Sequence, residues 1–92
     1  MLNRDELADA VRTVLAKGNR YLSATQILER LEVREQLLAE CSSHSEAVQR
    51  VKDVLLQSLS GELSFDFTPN GRSRDVLGSR VAEVTMVFRV RR

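Results

Sequence analysis

The sequence has little of several residue types on which whole classes of protein depend. Its 92 residues include one cysteine, one histidine and no tryptophan. A single cysteine cannot close a disulfide within the chain, and one cysteine with one histidine supplies only half of the four ligands of a zinc site. Three phenylalanines and one tyrosine do not suggest a stacking platform for single-stranded nucleic acid. We therefore expect no disulfide framework, no bound metal and no cofactor.

Long apolar runs are also missing. No stretch approaches the roughly 20 apolar residues that a membrane-spanning helix needs. Arg4, Asp5 and Glu6 stand where the apolar segment of a signal peptide would have to begin. We expect a cytoplasmic protein with one domain over residues 1–92, because a chain of this length buries roughly two-thirds of its unfolded surface, enough for one modest core.

Three amphipathic segments predict three helices. Residues 4–17, 24–32 and 43–60 each carry apolar side chains at a period near 3.6, which places them on one stripe of a helix. Between the first two segments, Tyr21-Leu22 is too short for a helix and indicates a brief extended segment. The predicted core is therefore helical over the first two-thirds of the chain.

Capping residues support these helix starts. Asn3, Ser23 and Ser43 are each followed three residues later by Glu or Gln, which is the spacing of a capping box. The pattern is ambiguous over residues 33–40, where the apolar side chains fit either a continued, kinked helix or a separate short one. We favour a break near Val33.

In the last third of the chain the hydrophobic period changes from 3.6 to 2. This alternation predicts strands over about residues 63–67 and 81–90, each with one buried face. The inward face is expected to carry Phe65, Phe67 and Phe88. The strands are best interpreted as an antiparallel hairpin joined by a loop of about a dozen residues, longer than the two to five usual for hairpins.

The near-neutral net charge of +1 conceals an asymmetry. Residues 1–68 contain eight Lys and Arg against eleven Asp and Glu, a net of −3. Residues 69–92 contain six Arg against two acidic residues, a net of +4. Arginine presents a planar fork of donors that suits phosphate or carboxylate. The six basic residues are Arg72, Arg74, Arg80, Arg89, Arg91 and Arg92.

Three capped helices, a short extended segment between the first and second, and a hairpin with a long basic loop together resemble a winged-helix domain over nearly the whole chain. The resemblance implies an α+β, winged-helix-like fold, with a three-helix core followed by a C-terminal antiparallel β-hairpin. It also implies that helix 43–59 enters the major groove of DNA and that the loop 68–80 acts as the wing. Residues 32–42 depart from the pattern, because a helix-turn-helix normally has three or four residues between these helices.

The outward face of the third predicted helix is neutral and partly apolar. Successive residues placed 100° apart bring Lys52, Asp53 and Leu56 to this face, where the acidic and basic charges balance. Phosphate neutralisation supplies most non-specific affinity, so the arginines of the wing must provide the attraction to DNA. The predicted nucleic-acid contacts are Ser45, Gln49 and Lys52 to base edges, with Arg72, Arg74 and Arg80 supplying the charge.

Two functions fit these features. The first is a small DNA-binding transcriptional or replication regulator, which could form a homodimer by pairing strand 81–90 across a sheet edge. The alternative is a non-enzymatic protein–protein interaction module, such as an adaptor, a complex subunit or a phage-encoded inhibitor, whose Arg-rich hairpin engages an acidic protein surface. No arrangement of acid, base and nucleophile indicates an enzyme.

Cys41 and His44 are the remaining residues with reactive side chains. His44 falls on the apolar side of the third helix near its start, where a packing or capping role is the ordinary interpretation. Cys41 is expected to be a small buried residue, with a redox role or an intermolecular disulfide as minor alternatives.

Overall fold

The computed structural model describes residues 1–18 and 20–91, with the backbone alone at residue 70. This part of the chain has α+β architecture, as predicted. Its helices are α1 (Arg4–Ala16), α2 (Ala24–Arg30), α3 (Arg34–Glu40) and α4 (His44–Gln57), followed by a 3-10 turn at Ser60–Glu62. Its strands are β1 (Leu22–Ser23), β2 (Leu63–Val76) and β3 (Ser79–Val90).

The three predicted N-caps all accept a backbone hydrogen bond. At Ser23 the box is complete, because the hydroxyl accepts from the Gln26 N–H and the Gln26 side chain accepts from the Ser23 N–H. The Asn3 side chain accepts from the Glu6 N–H at 2.8 Å, and the Ser43 hydroxyl accepts from the Glu46 N–H at 3.1 Å. These caps satisfy N–H groups that the first helical turn leaves without an intrahelical partner.

The ambiguous segment forms a helix of its own. Helix α2 ends at Arg30, two residues before the predicted end, because Leu31 adopts an extended conformation with ψ 137°. Helix α3 then begins at Arg34, so the predicted break near Val33 is confirmed. The described residues therefore contain four helices instead of the three predicted, and Leu37 of α3 is fully buried.

The strands form an antiparallel sheet in the order β1-β3-β2. The predicted extended segment at Leu22 is the edge strand β1, which pairs with the end of β3 through Leu22↔Phe88 and Ser23↔Val87. On the other side of β3, Phe88 lies opposite Phe65. Directly opposite residues share one face of a sheet, and this inner face packs on the helices through Phe88, which is completely buried.

The predicted long loop is wrong: most of it is strand. Pairing of β2 with β3 continues to Val76↔Ser79 and leaves a two-residue turn. An irregularity in the pairing between Pro69 and Ser73 accommodates the turn-forming residues that suggested a loop, with Gly71 at φ 83°. A bulge absorbs such residues without ending the pairing, so the strands predicted at 63–67 and 81–90 are longer than expected.

The turn that closes the hairpin has an unfavourable first residue. Leu77 and Gly78 have φ values of 50° and 81°, which is the pattern of a type I′ turn. Asn or Gly is preferred at the first position because a Cβ with a longer side chain is strained at positive φ, at a cost of about 1 kcal/mol. The Leu77 side chain is fully exposed.

Most of the hairpin extends beyond the helices. The radius of gyration is 14.3 Å, against about 12 Å expected for a compact chain of this length. All three phenylalanines lie on the inner face of the sheet, as predicted, but the core covers only Phe88 completely. Phe67 is 60% exposed, and Phe65 is partly exposed while its ring packs edge-on against Phe88 at 5.6 Å.

This contrast predicts different effects for one substitution at two positions on the same face. Phe88→Ala should lower the free energy of unfolding by about 3–5 kcal/mol because it leaves a cavity in the core. Phe67→Ala, the matched control, should lower it by less than about 1 kcal/mol because that side chain is mostly in solvent. Urea unfolding at low protein concentration measures both. Equal losses would show that the hairpin is packed along its whole length.

Candidate nucleic-acid interface

The predicted contact residues of the helix lie along the outer side of α4. Ser45 and Gln49 are exposed, and Lys52 is half-buried. The Gln49 amide nitrogen donates to the Asp53 carboxylate at 2.9 Å, one helical turn away. This bond holds the amide group on the helix surface and leaves its carbonyl oxygen available to accept from a ligand.

Lys52 lies where α4 meets the hairpin. Together with Val48 of the same helix it lines a shallow hollow of about 180 Å³, whose other walls include Val84 and Met86 of β3. The structure thus brings the outer side of α4 alongside the base of the hairpin. Arg80 lies four residues before Val84 in β3, about 13 Å nearer the turn, so the six predicted contact residues form two separate groups.

The second group lies at the exposed end of the hairpin. Arg72 lies within the pairing irregularity, and Arg74 is opposite Val81. Arg80 is opposite Asp75, and its Nε donates to the Ser73 hydroxyl at 2.9 Å. All three arginines are exposed. Residues 69–80 contain these three arginines and one aspartate, a net charge of +2.

The arginines near the C-terminus lie at the base of the hairpin and contact residues from other parts of the chain. The guanidinium of Arg89 lies 4.6 Å from the centre of the Tyr21 ring, and its Nε is buried with no hydrogen-bond partner among the described residues. The Arg91 side chain donates to the Leu63 carbonyl at 3.4 Å. Arg92 lies outside the described residues. The basic surface that the structure describes is therefore centred on the end of the hairpin.

Arg50 of α4 also has a structural contact, which the sequence pattern does not reveal. Its Nη2 donates to the Leu2 carbonyl at 3.3 Å, and its Nη1 lies 3.8 Å from the Glu40 carboxylate. The same carboxylate accepts from the Leu2 N–H at 2.9 Å. This cluster joins the chain start, α3 and α4. Its members are up to 48 residues apart, so no local spacing could indicate it.

Of the two residues with reactive side chains, Cys41 packs against the core, close to expectation, whereas His44 does not. His44 is exposed at the first position of α4, so its predicted place on the apolar side of that helix is wrong. Cys41 is half-buried, and its sulfur lies 3.8 Å from Nη1 of Arg50. Among residues 1–18 and 20–91, no three His, Cys, Asp or Glu side chains are grouped so as to hold a metal ion.

Hydrogen bonds to two carboxylates stabilise the start of α4 and the start of the hairpin. The Glu46 carboxylate accepts from the hydroxyl and the N–H of Ser42, and these bonds lower the pKa of Glu46. Arg12 of α1 donates two bonds of 3.1 Å to the Glu62 carboxylate just before β2. Those bonds lower the pKa of Glu62, and they tie the first helix to the root of the hairpin.

Comparison with known protein families, curated proteins and solved structures finds no match to this chain. Within the part of the chain that the structure describes, no helix has the length and apolar character needed to cross a membrane.

The Arg12–Glu62 contact predicts a pH dependence of stability. A carboxyl group whose pKa is lower in the folded protein stabilises the fold above its unfolded pKa, and this contribution is lost as the pH falls through the folded value. Between about pH 5 and pH 3, the wild type should therefore lose more stability than Glu62→Gln. Thermal unfolding at low salt measures this, because screening weakens exposed ion pairs.

Arg12→Ala provides the control for this measurement. Without the guanidinium, Glu62 loses its partner, so adding Glu62→Gln should change the acid dependence no further. If Glu62→Gln changed the acid dependence of stability as much in the Arg12→Ala protein as in the wild type, the pH dependence would arise from other contacts of Glu62.

Proposed function

We propose that this chain is a winged-helix-like protein that binds double-stranded DNA, acting in the regulation of transcription or replication. The order of elements supports the proposal: helices precede a hairpin, and a short strand between the first two helices joins the hairpin in one sheet. Helix α4, the last helix before the hairpin, corresponds to the helix that enters the major groove in winged-helix proteins that bind DNA. The hairpin corresponds to the wing.

The observation that carries the proposal is the basic end of the projecting hairpin. Arg72, Arg74 and Arg80 are exposed at a distance from the acidic helical part, so they can approach phosphates without bringing its carboxylates close. An arginine can bind a phosphate through two parallel N–H bonds. Attraction to the backbone is sequence-independent, so these residues supply affinity and orientation.

In this proposal the outer side of α4 recognises the base sequence of the DNA. Ser45 and Gln49 are exposed near the start of the helix, and Lys52 follows one turn later. Hydroxyl, amide and ammonium groups can all bond to base edges in the major groove. The helix itself has no surplus of positive charge, so DNA binding should be weak and depend on the three hairpin arginines.

Binding of a labelled random-sequence duplex, followed by fluorescence anisotropy against salt, tests the proposal. Three phosphate contacts give a slope of log affinity against log salt of about −2.7, or a loss of about 40-fold between 50 and 200 mM salt. Arg72→Ala with Arg74→Ala should reduce the slope to about −0.9. Arg4→Ala removes an exposed arginine on α1 and should leave the slope unchanged.

Two results would contradict the proposal. Absence of binding at low salt would exclude DNA as the ligand, and an unchanged slope in the double variant would remove the hairpin from the interface. Gln49→Ala then distinguishes recognition of base sequence from general electrostatic attraction. This substitution should lower the affinity for a preferred duplex sequence more than the affinity for a random one.

The second candidate is a protein-interaction module, and the exposed apolar side chains favour it. Within the described residues, six of the eight large exposed hydrophobic side chains belong to the hairpin. Leu56 on α4 is also exposed, near the neutral outer side of that helix. Exposed apolar side chains grouped on one element commonly mark a protein contact. Failure to bind any duplex at low salt would leave this candidate as the better interpretation.

A further inference from the structure

Leu77 lies at the tip of the projecting hairpin and contributes nothing to the core. Its side chain is fully exposed, so it packs against no other part of the chain that the structure describes. Its φ of 50° strains a leucine, and asparagine or glycine suits this turn position better. Because neither packing nor turn geometry accounts for a leucine here, its presence indicates a contact outside the chain.

Arginines flank this tip on both faces of the ribbon. Arg74 pairs with Val81, and the neighbouring pair joins Arg80 to Asp75. Because successive residues of a strand point to opposite faces, the two arginine side chains leave the ribbon on opposite faces. Arg80 is one residue and Arg74 two residues behind the last pair, which contains Ser79, so both lie within about 7 Å of that pair. The tip therefore presents an apolar side chain with a cation behind it on each face.

The minor groove of DNA suits this arrangement. The groove is about 7.5 Å deep, and phosphates line both of its rims. A tip that reaches the groove floor brings Arg74 and Arg80 to the level of the rims, one on each side, where each can bind a phosphate through two N–H bonds. The groove is about 6 Å wide, and Gly78, which follows Leu77, has no side chain to widen the tip. The depth, the charge and the narrow tip therefore all fit the minor groove.

The hairpin is long enough to reach this groove while α4 occupies the major groove. Val84 of β3 and Lys52 of α4 line the same hollow. Ser79 is five residues nearer the turn than Val84, about 16 Å away. Adjacent grooves are separated by about half of a helical turn of 34–36 Å. The distance from α4 to the tip is therefore close to one groove spacing.

We propose that the hairpin tip enters the minor groove and that Leu77 inserts between two base pairs, which kinks the duplex. Proteins that bend DNA from the minor groove commonly insert an apolar side chain in this way, and leucine is one of those used. A site with a TA step should be preferred, because this step unstacks easily. The inference rests on the proposed DNA binding and adds to it the recognition of a deformable step.

An anionic membrane is the other surface that an apolar tip among arginines could meet. Residues 69–80 have a net charge of +2, and Leu77 is the fully exposed apolar side chain of this segment. A whole myristoyl chain on its own binds a membrane only marginally. One leucine with two net charges is therefore too little for a membrane anchor, whereas DNA also gains the contacts of α4.

Bending of a short duplex, measured by energy transfer between dyes at its two ends, tests the insertion. The duplex carries one central TA step whose adenine is replaced by 2-aminopurine, a base that fluoresces more strongly when it unstacks. The wild type should raise both signals at low salt. Leu77→Asn should abolish both and weaken binding by roughly tenfold, because one buried leucine is lost. The slope of log affinity against log salt should stay at about −2.7, because no charge changes.

Leu77→Met is the matched control. Methionine is also an apolar wedge, so this variant should retain both the bending and the unstacking signal. Leu77→Asn should unfold at no lower temperature than the wild type, because Asn-Gly suits a type I′ turn. Misfolding therefore cannot account for its loss of bending.

The outcomes separate the insertion from DNA binding itself. A duplex that the wild type binds without bending or unstacking overturns the insertion alone, and so do equal signals from Leu77→Asn. Absence of duplex binding at low salt overturns both proposals. Binding to vesicles of phosphatidylserine and phosphatidylcholine in equal parts that requires Leu77, with no bending of the duplex, assigns the tip to a membrane surface and also overturns the insertion.

Discussion

The burial of Phe88 on the central strand is the constraint from which the rest of the architecture follows. Phe88 lies opposite Leu22 of β1 on one side and Phe65 of β2 on the other, and its side chain is completely buried against the helices. Because strand side chains alternate between faces, fixing Phe88 inward determines the face of every other residue in β3. One strand thereby joins the helical part to a ribbon that extends into solvent.

The sequence predicts those parts of the fold that depend on local chemistry. Caps such as Ser23 determine where helices begin, and the brief extended segment at Leu22 is found as a strand. The length of the hairpin could not be predicted in this way, because Pro69 and Gly71 have the same local preferences in a bulge as in a loop. Cross-strand pairing decides between the two. The exposure of Phe67 likewise depends on where the helices end, which its own alternation cannot show.

In the candidate site, too, local sequence predicts some features, and long-range contacts determine the others. The difference in net charge between residues 1–68 and residues 69–92 predicts an exposed basic surface near the C-terminus, and Arg72, Arg74 and Arg80 are exposed as expected. It cannot distinguish them from Arg89, which lies over the Tyr21 ring. A guanidinium that packs on an aromatic ring contributes to folding instead of to a free basic surface. A long-range contact therefore distinguishes the partly buried Arg89 from the exposed arginines of the hairpin.

The projecting hairpin carries two kinds of exposed side chain that suit different contacts. Arg72 and Arg74 of β2 and Arg80 of β3 lie at the end of the hairpin, where their charge can attract an anionic surface. Phe67 and Val84 are exposed on the inner face, nearer the helices. A contact made through the arginines therefore leaves these apolar side chains available for a separate one.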